Sequence, residues 1–175
     1  MKFLKITLAI IALFYTTNTF AQFTSAELQV SGLTCSMCSK ATEKSLRTLS
    51  FIQNIKPDLN RNLFVISFKK NAAVQLDQIK KKVEDAGFSV SNLQATFDFK
   101  NVAVKDNFHY NYGGSLYHFM QVDNRTLNGP VKLTLLDKNF VPGKKFSALA
   151  SKSASAYPCF KTGKMDGMRV YHVTI

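Results

Sequence analysis

The chain has 175 residues, 46% of them hydrophobic, with 23 Lys and Arg against 11 Asp and Glu, a formal net charge of +12 at neutral pH. That is enough apolar material for one sizeable core or two small ones. Three cysteines cannot all pair within the chain, which argues against a disulfide scaffold, and four Asp and Glu beyond residue 98 leave little for acid–base catalysis.

Met1 to Lys5 place two lysines ahead of the apolar run Ile6 to Tyr15, and Thr19-Phe20-Ala21 follows after a polar stretch. This is the pattern of a signal peptide over 1–21 cut before Gln22, which predicts a periplasmic or secreted protein. A retained anchor is the alternative, but a ten-residue run is short against the roughly 20 that a spanning helix needs, so no transmembrane anchor is expected.

From Glu27 to Ser31, Leu28 and Val30 alternate with polar residues, a half-buried strand ended by Gly32. Cys35-Ser36-Met37-Cys38 then leads into Ser39 to Leu49, where small or apolar residues recur at helical spacing. Phe51 to Ile55 reads as a second strand, Pro57 to Asn62 as a turn, and Leu63 to Phe68 as a third strand rich in β-formers. Leu76, Ile79, Val83 and Ala86 form the apolar stripe of a second helix stopped by Gly87, and Phe88-Ser89-Val90 opens a fourth strand. The order is βαββαβ, in which both helices cover one face of a four-stranded antiparallel sheet.

From Phe97 onward the helical period disappears. Phe97 to Val104, Phe108 to Tyr112, Leu116 to Val122, Val131 to Leu136 and Met168 to Ile175 are short apolar or alternating runs, and Gly113-Gly114, Asn128-Gly129-Pro130 and Asp166-Gly167 supply turn chemistry. Phe146 to Tyr157 suits a short helix or a loop. The expected fold class is therefore α+β: a ferredoxin-like domain over 22–95 followed by a small β-rich barrel or sandwich over 96–175. The second half carries more charge, with eleven Lys and Arg against four Asp and Glu from 99 on. These cations are scattered along strands with no arginine cluster, so no nucleic-acid partner is expected.

The chemistry concentrates at Cys35 and Cys38. They sit where a strand hands over to a helix, so unpaired backbone N–H groups and the positive end of the helix dipole favour thiolate, and Lys40 adds a further positive charge. A closed structural zinc site wants four ligands, whereas residues 22–98 hold no histidine and only these two cysteines. Two thiolates on a loop suit a low-coordinate soft ion, Cu(I) first, with Hg(II) or Zn(II) as alternative guests. Two other readings use the same sulfurs: a local disulfide, and thiol–disulfide exchange of thioredoxin type. The second is weakened because only one strand precedes the motif and neither Trp nor Pro touches it.

Gly32-Leu33-Thr34-Cys35-Ser36-Met37-Cys38 resembles the Gly-Met-Thr-Cys-x-x-Cys loop of heavy-metal-associated domains, and Ala86-Gly87-Phe88 resembles the turn that opens their last strand. The resemblance covers residues 27 to about 93. Such domains occur in copper chaperones, in the N-terminal tails of copper-transporting P-type ATPases and in the periplasmic mercury-binding protein. It implies Cys35 and Cys38 as metal ligands, Phe88 as an aromatic neighbour of the site, and a metal-transporting or metal-accepting envelope protein as partner. Leu33 stands where methionine is usual, a swap of similar volume.

Beyond that domain, a two-residue turn at Gly113-Gly114 sets His109 opposite His118, with Met120 on the face of His118, a candidate second copper site. Cys159, Met165, Met168 and His172 carry metal-compatible atoms at spacings that fit no ligand pattern, and Cys159, between Pro158 and Phe160, reads as a buried, inert cysteine. Its functional alternative is a third sulfur reaching the Cys35 loop. No Ser-His-Asp order or phosphate loop stands out, so the expectation is a binding protein and not an enzyme.

Overall fold

The computed structural model of the protein describes residues 22–153 and 157–175; the expected signal peptide, 1–21, lies outside them. Strand β1 (Gln22–Ser31) leads into helix α1 (Ser36–Leu46), then β2 (Ile52–Asp58), β3 (Leu63–Phe68), α2 (Leu76–Asp85) and β4 (Ser89–Val104). These strands lie in the order β2-β3-β1-β4, all antiparallel, which is the βαββαβ arrangement expected. Both helices press on one face: Leu46, Leu76, Ile79 and Val83 share a core with Leu28, Ile66 and Leu93. Each such fully buried aliphatic side chain contributes about 1.5–3 kcal/mol. The helices are tied to each other by Ser45 Oγ, which donates to the Lys82 carbonyl at 2.7 Å.

Past residue 95 the structure departs from a separate barrel. The expected boundary falls inside β4, whose sixteen residues run on through it. Strands β5 (Phe108–Tyr112), β6 (Ser115–Phe119), β7 (Arg125–Leu135), β8 (Lys164–Met165) and β9 (Met168–Thr174), with helices α3 (Gly143–Ser153) and α4 (Cys159–Thr162), complete the described chain. The new strands extend the same sheet as β4-β7-β9-β6-β5, with β8 paired to β9. The physical reason is in β4, where Leu93, Ala95, Phe97 and Phe99 alternate without a break with Gln94, Thr96 and Asp98. One continuous apolar face must be covered along its whole length. The helices cover the Leu93 end, and the β5–β6 hairpin covers the Phe97 end.

The sheet bends to allow this. β7 pairs with β9 only at Thr134 and Leu135, so the β9-β6-β5 part swings over β1 and β4. Phe97 then meets Tyr112 with ring centroids 4.7 Å apart, and Phe23 meets Tyr117 at 5.5 Å. A single cluster of buried residues runs from Phe23 to Val173.

Two proline-containing turn signals lie inside strands. Pro57 is in β2, the outermost strand, where a missing N–H costs no ladder bond. Asn128-Gly129-Pro130 lies in β7 opposite an irregularity between Phe99 and Val102, with Asn101 and Gly129 both at positive φ, so the turn chemistry appears as a bulge. Phe146 to Ser153 is helical, within α3. Among the described residues no helix is long and apolar enough to cross a membrane.

Candidate functional site

Cys35 is the N-cap of α1. Its backbone is extended, and its sulfur accepts the Cys38 N–H at 3.1 Å. The first turn of α1 carries no acidic residue, so the helix dipole faces the sulfurs unopposed. Cys35 is exposed and Cys38 half-buried, and Met37 between them is 74% exposed. The two sulfurs are joined in a disulfide, with Cα atoms 5.3 Å apart. Reduction therefore frees two thiols at the start of α1, one exposed and one half-buried.

The loop is held from both ends. Gly32, at φ +89°, takes a conformation that side-chain-bearing residues rarely adopt, and a Cβ there would stand 3.5 Å from the Phe88 ring. Phe88 is brought there by the end of α2: Gly87, at φ +86°, donates to the Glu84 carbonyl and Phe88 N–H to the Val83 carbonyl, closing a Schellman motif. Leu33 and Phe88 are both partly buried against the main core. On the helix side, buried Thr42 donates to the Cys38 carbonyl at 3.1 Å.

The second predicted cluster is found in part. Gly113 and Gly114, both at positive φ, close a hairpin with His109 opposite His118, and the two imidazoles stack with centroids 4.1 Å apart. Met120 does not join them. β6 ends at Phe119, Gln121 turns the chain at φ +57°, and Met120 packs with Leu136 and Phe160. The chain brings two other residues instead. β9 runs parallel to β6 with His172 beside His118, and α4 sets the Cys159 sulfur 3.3 Å from His118 Nδ1 and 3.4 Å from His172 Nε2. Cys159 is thus neither an isolated core cysteine nor turned toward a third role at the loop; its sulfur faces imidazoles.

Burial, and then the neighbouring His109 and His172, push His118 down to about 4. Burial followed by His172 lowers His109, and burial raises the Cys159 thiol. The hairpin register pointed to His109 and His118; the signal that could have added Cys159 and His172 is composition, since all three histidines lie beyond residue 108, in the same half as the third cysteine.

Comparison with known proteins bears on the first site. Residues 27–89 match the family model of the heavy-metal-associated domain. The chain is 30% identical over 63 residues to the copper chaperone CopZ of Staphylococcus haemolyticus, covering 36% of this chain and 91% of that protein. It is 36% identical over 69 residues to a probable copper-transporting ATPase of Arabidopsis thaliana, covering 39% of this chain but only 7% of the ATPase's length. Among solved structures, the yeast copper transporter domain CCC2A, determined in apo and Cu(I)-loaded states, is similar at 31% identity and a TM-score of 0.34, over 37% of this chain and 88% of that one. With the loop, the helix N-terminus and the βαββ order all inside the matched segment, the chain belongs to the heavy-metal-associated domain family.

Proposed function

We infer that the protein is an exported metal-binding protein that holds Cu(I) through Cys35 and Cys38 and hands it to an accepting protein of the cell envelope. The observation that carries this reading is the placement of both sulfurs at the N-terminus of α1, Cys35 as its exposed N-cap and half-buried Cys38 in its first turn, with no acidic residue in that turn. The copper-handling names of the similar proteins support copper as the cargo.

A dithiol reductant first takes the disulfide to two thiols, being itself oxidised to a disulfide. Cu(I) then binds as two thiolate bonds form, and two protons pass to solvent. The helix dipole and the free backbone N–H groups stabilise the thiolate charge. Two-coordinate Cu(I) leaves room for an acceptor thiolate to attack the ion. As that bond forms, the Cys35 or Cys38 bond breaks, and no electron changes hands. Hg(II) and Zn(II) are alternative guests of the same pair.

The test is an anaerobic titration of reduced protein with Cu(I), Zn(II) and Hg(II) against competing chelators, beside Cys35→Ser/Cys38→Ser. The expected result is a loss of one tightly held Cu(I) per chain in the double variant; an unchanged stoichiometry refutes the assignment. The disulfide itself favours one other reading, thiol–disulfide exchange, which efficient turnover of a disulfide substrate would establish in its place.

A further inference from the structure

Every histidine of the chain and its third cysteine meet at one point in the second half. The Cys159 sulfur lies 3.3 Å from His118 Nδ1, 3.4 Å from His172 Nε2 and 3.8 Å from His109 Nε2. The imidazoles arrive from β5, β6 and β9, and the sulfur from α4.

The outer nitrogens decide what the inner ones present. His172 Nδ1 is 2.9 Å from Asp137 Oδ1, and His118 Nε2 is 2.9 Å from Asn107 Oδ1. Both partners are oxygens that only accept, so each ring carries its proton outward and turns a lone pair toward Cys159. A thiol has one proton and can satisfy one of these lone pairs. His118 and His172 are both fully buried, where an unmatched lone pair is costly. A cation among the four groups resolves the mismatch.

We propose that Cys159, His109, His118 and His172 form a second metal centre that takes a divalent zinc or copper ion in a four-coordinate thiolate–imidazole site, with Asp137 and Asn107 as positioning residues. The distances suit it. With metal–sulfur and metal–nitrogen bonds of about 2.3 and 2.0–2.1 Å, a tetrahedron separates sulfur from nitrogen by about 3.6 Å, and the three observed separations bracket that value. The ligand atoms of Cys159, His109 and His118 all lie within 4.8 Å of one another, and His172, outside that group of three, reaches the cluster through its 3.4 Å approach to the Cys159 sulfur. A cleft of about 380 Å³, lined in part by His109, Tyr157 and Cys159, gives the ion a way in. On binding, the metal–sulfur bond replaces the S–H bond and the proton leaves to solvent; the ion keeps its oxidation state.

Cys159, His172 and Asp137 also have the order of a nucleophile, a base and its orienting carboxylate. The lone pair of His118, however, has no part in such a triad.

The experiment uses the chain carrying Cys35→Ser/Cys38→Ser, so that its outcome is independent of the loop. Co(II), Zn(II) and Cu(II) are titrated separately as probes. The expected result is one ion per chain, with a thiolate-to-metal absorption band for Co(II) that Zn(II) bleaches. Adding Cys159→Ser removes the band. His109→Ala, a change at a half-exposed ring, weakens binding while leaving the thermal melt of the metal-free chain in place, and so keeps the test decisive if the serine variant fails to fold. Asp137→Asn weakens metal affinity by about 10–100-fold. Binding no tighter in this background than after Cys159→Ser or His109→Ala would overturn the proposal. So would rapid alkylation of Cys159 at neutral pH that depends on His172 and ignores added Zn(II), which would instead identify a nucleophile.

Discussion

Phe97→Ala tests whether the two halves share one core. Phe97 is 1% exposed, and its ring lies 4.9 Å from Phe23, 4.6 Å from Phe99 and 4.7 Å from Tyr112, centroid to centroid. Its neighbours therefore come from β1, β4 and β5 together. Removing a buried phenyl ring costs about 3–5 kcal/mol, because the transfer energy is lost and the cavity closes only in part. With a urea dependence of about 1–3 kcal/mol per molar, the unfolding midpoint falls by roughly 2 M. The assay is urea unfolding combined with native-state hydrogen exchange read separately in α2 and in β9. The expected outcome is a single transition and an equal loss of protection in both elements, since one sheet carries both. A variant whose α2 protection is unchanged while β5 and β6 open would refute the shared core. A midpoint shift equivalent to less than 1 kcal/mol would refute the packing reading of Phe97.

Asp77 joins the halves electrostatically: burial raises its carboxyl, but the hydrogen bond and charge of Arg169, together with the Lys80 charge and the Tyr171 hydroxyl, outweigh this and leave it below its ordinary value. A carboxyl depressed in the folded state contributes stability above its unfolded pKa and loses it as pH falls through the folded value. Asp77→Asn should therefore cost stability at pH 7 and flatten the loss below about pH 4, read as thermal midpoint against pH. Gly87→Ala forces a Cβ onto φ +86° at the end of α2 and should cost about 1–2 kcal/mol, measured by denaturant unfolding. Thr42→Val removes the donor to the Cys38 carbonyl at a buried position and should cost about 1 kcal/mol. Slower recovery of Cu(I) binding after reduction in Thr42→Val would add that the bond also steadies the loop.

The first half was legible because its signals are local. The Cys-x-x-Cys sits at a strand-to-helix junction, the stripe Leu76, Ile79, Val83 has a helical period, and Gly87 ends it. The glycine pair at 113 and 114 likewise sets a hairpin register that neighbouring residues alone determine, and His109 and His118 pair as that register requires. What stayed hidden depends on contacts distant in sequence. Residues Leu93 to Phe99 alternate straight through the expected boundary, yet nothing local says that the apolar side of that run will be covered by a hairpin beyond it. Met120 shares the parity of His118, but strand parity holds only while the strand lasts, and β6 stops at Phe119. No turn links β6 to β9, so the meeting of His118 with His172 has no local trace, and Cys159 is carried to them by a helix of four residues. Pro57 and Pro130 misled for the opposite reason. Each is a local breaker placed where the sheet offers it a free edge or a bulge.

The position of β9 sets an order of events during folding. It lies between β7 and β6, antiparallel to one and parallel to the other, although it follows every other described strand in the chain. The β5–β6 hairpin can zip by itself in microseconds, but its docking waits for a strand that follows α3 and α4. Long-range parallel pairing is slow because loop closure costs entropy before any contact repays it. A chain emerging N-terminus first thus completes its βαββαβ unit early and carries an uncovered Phe97 face until β9 arrives. That interval is when the molecule is most open to proteolysis and to association with its own copies.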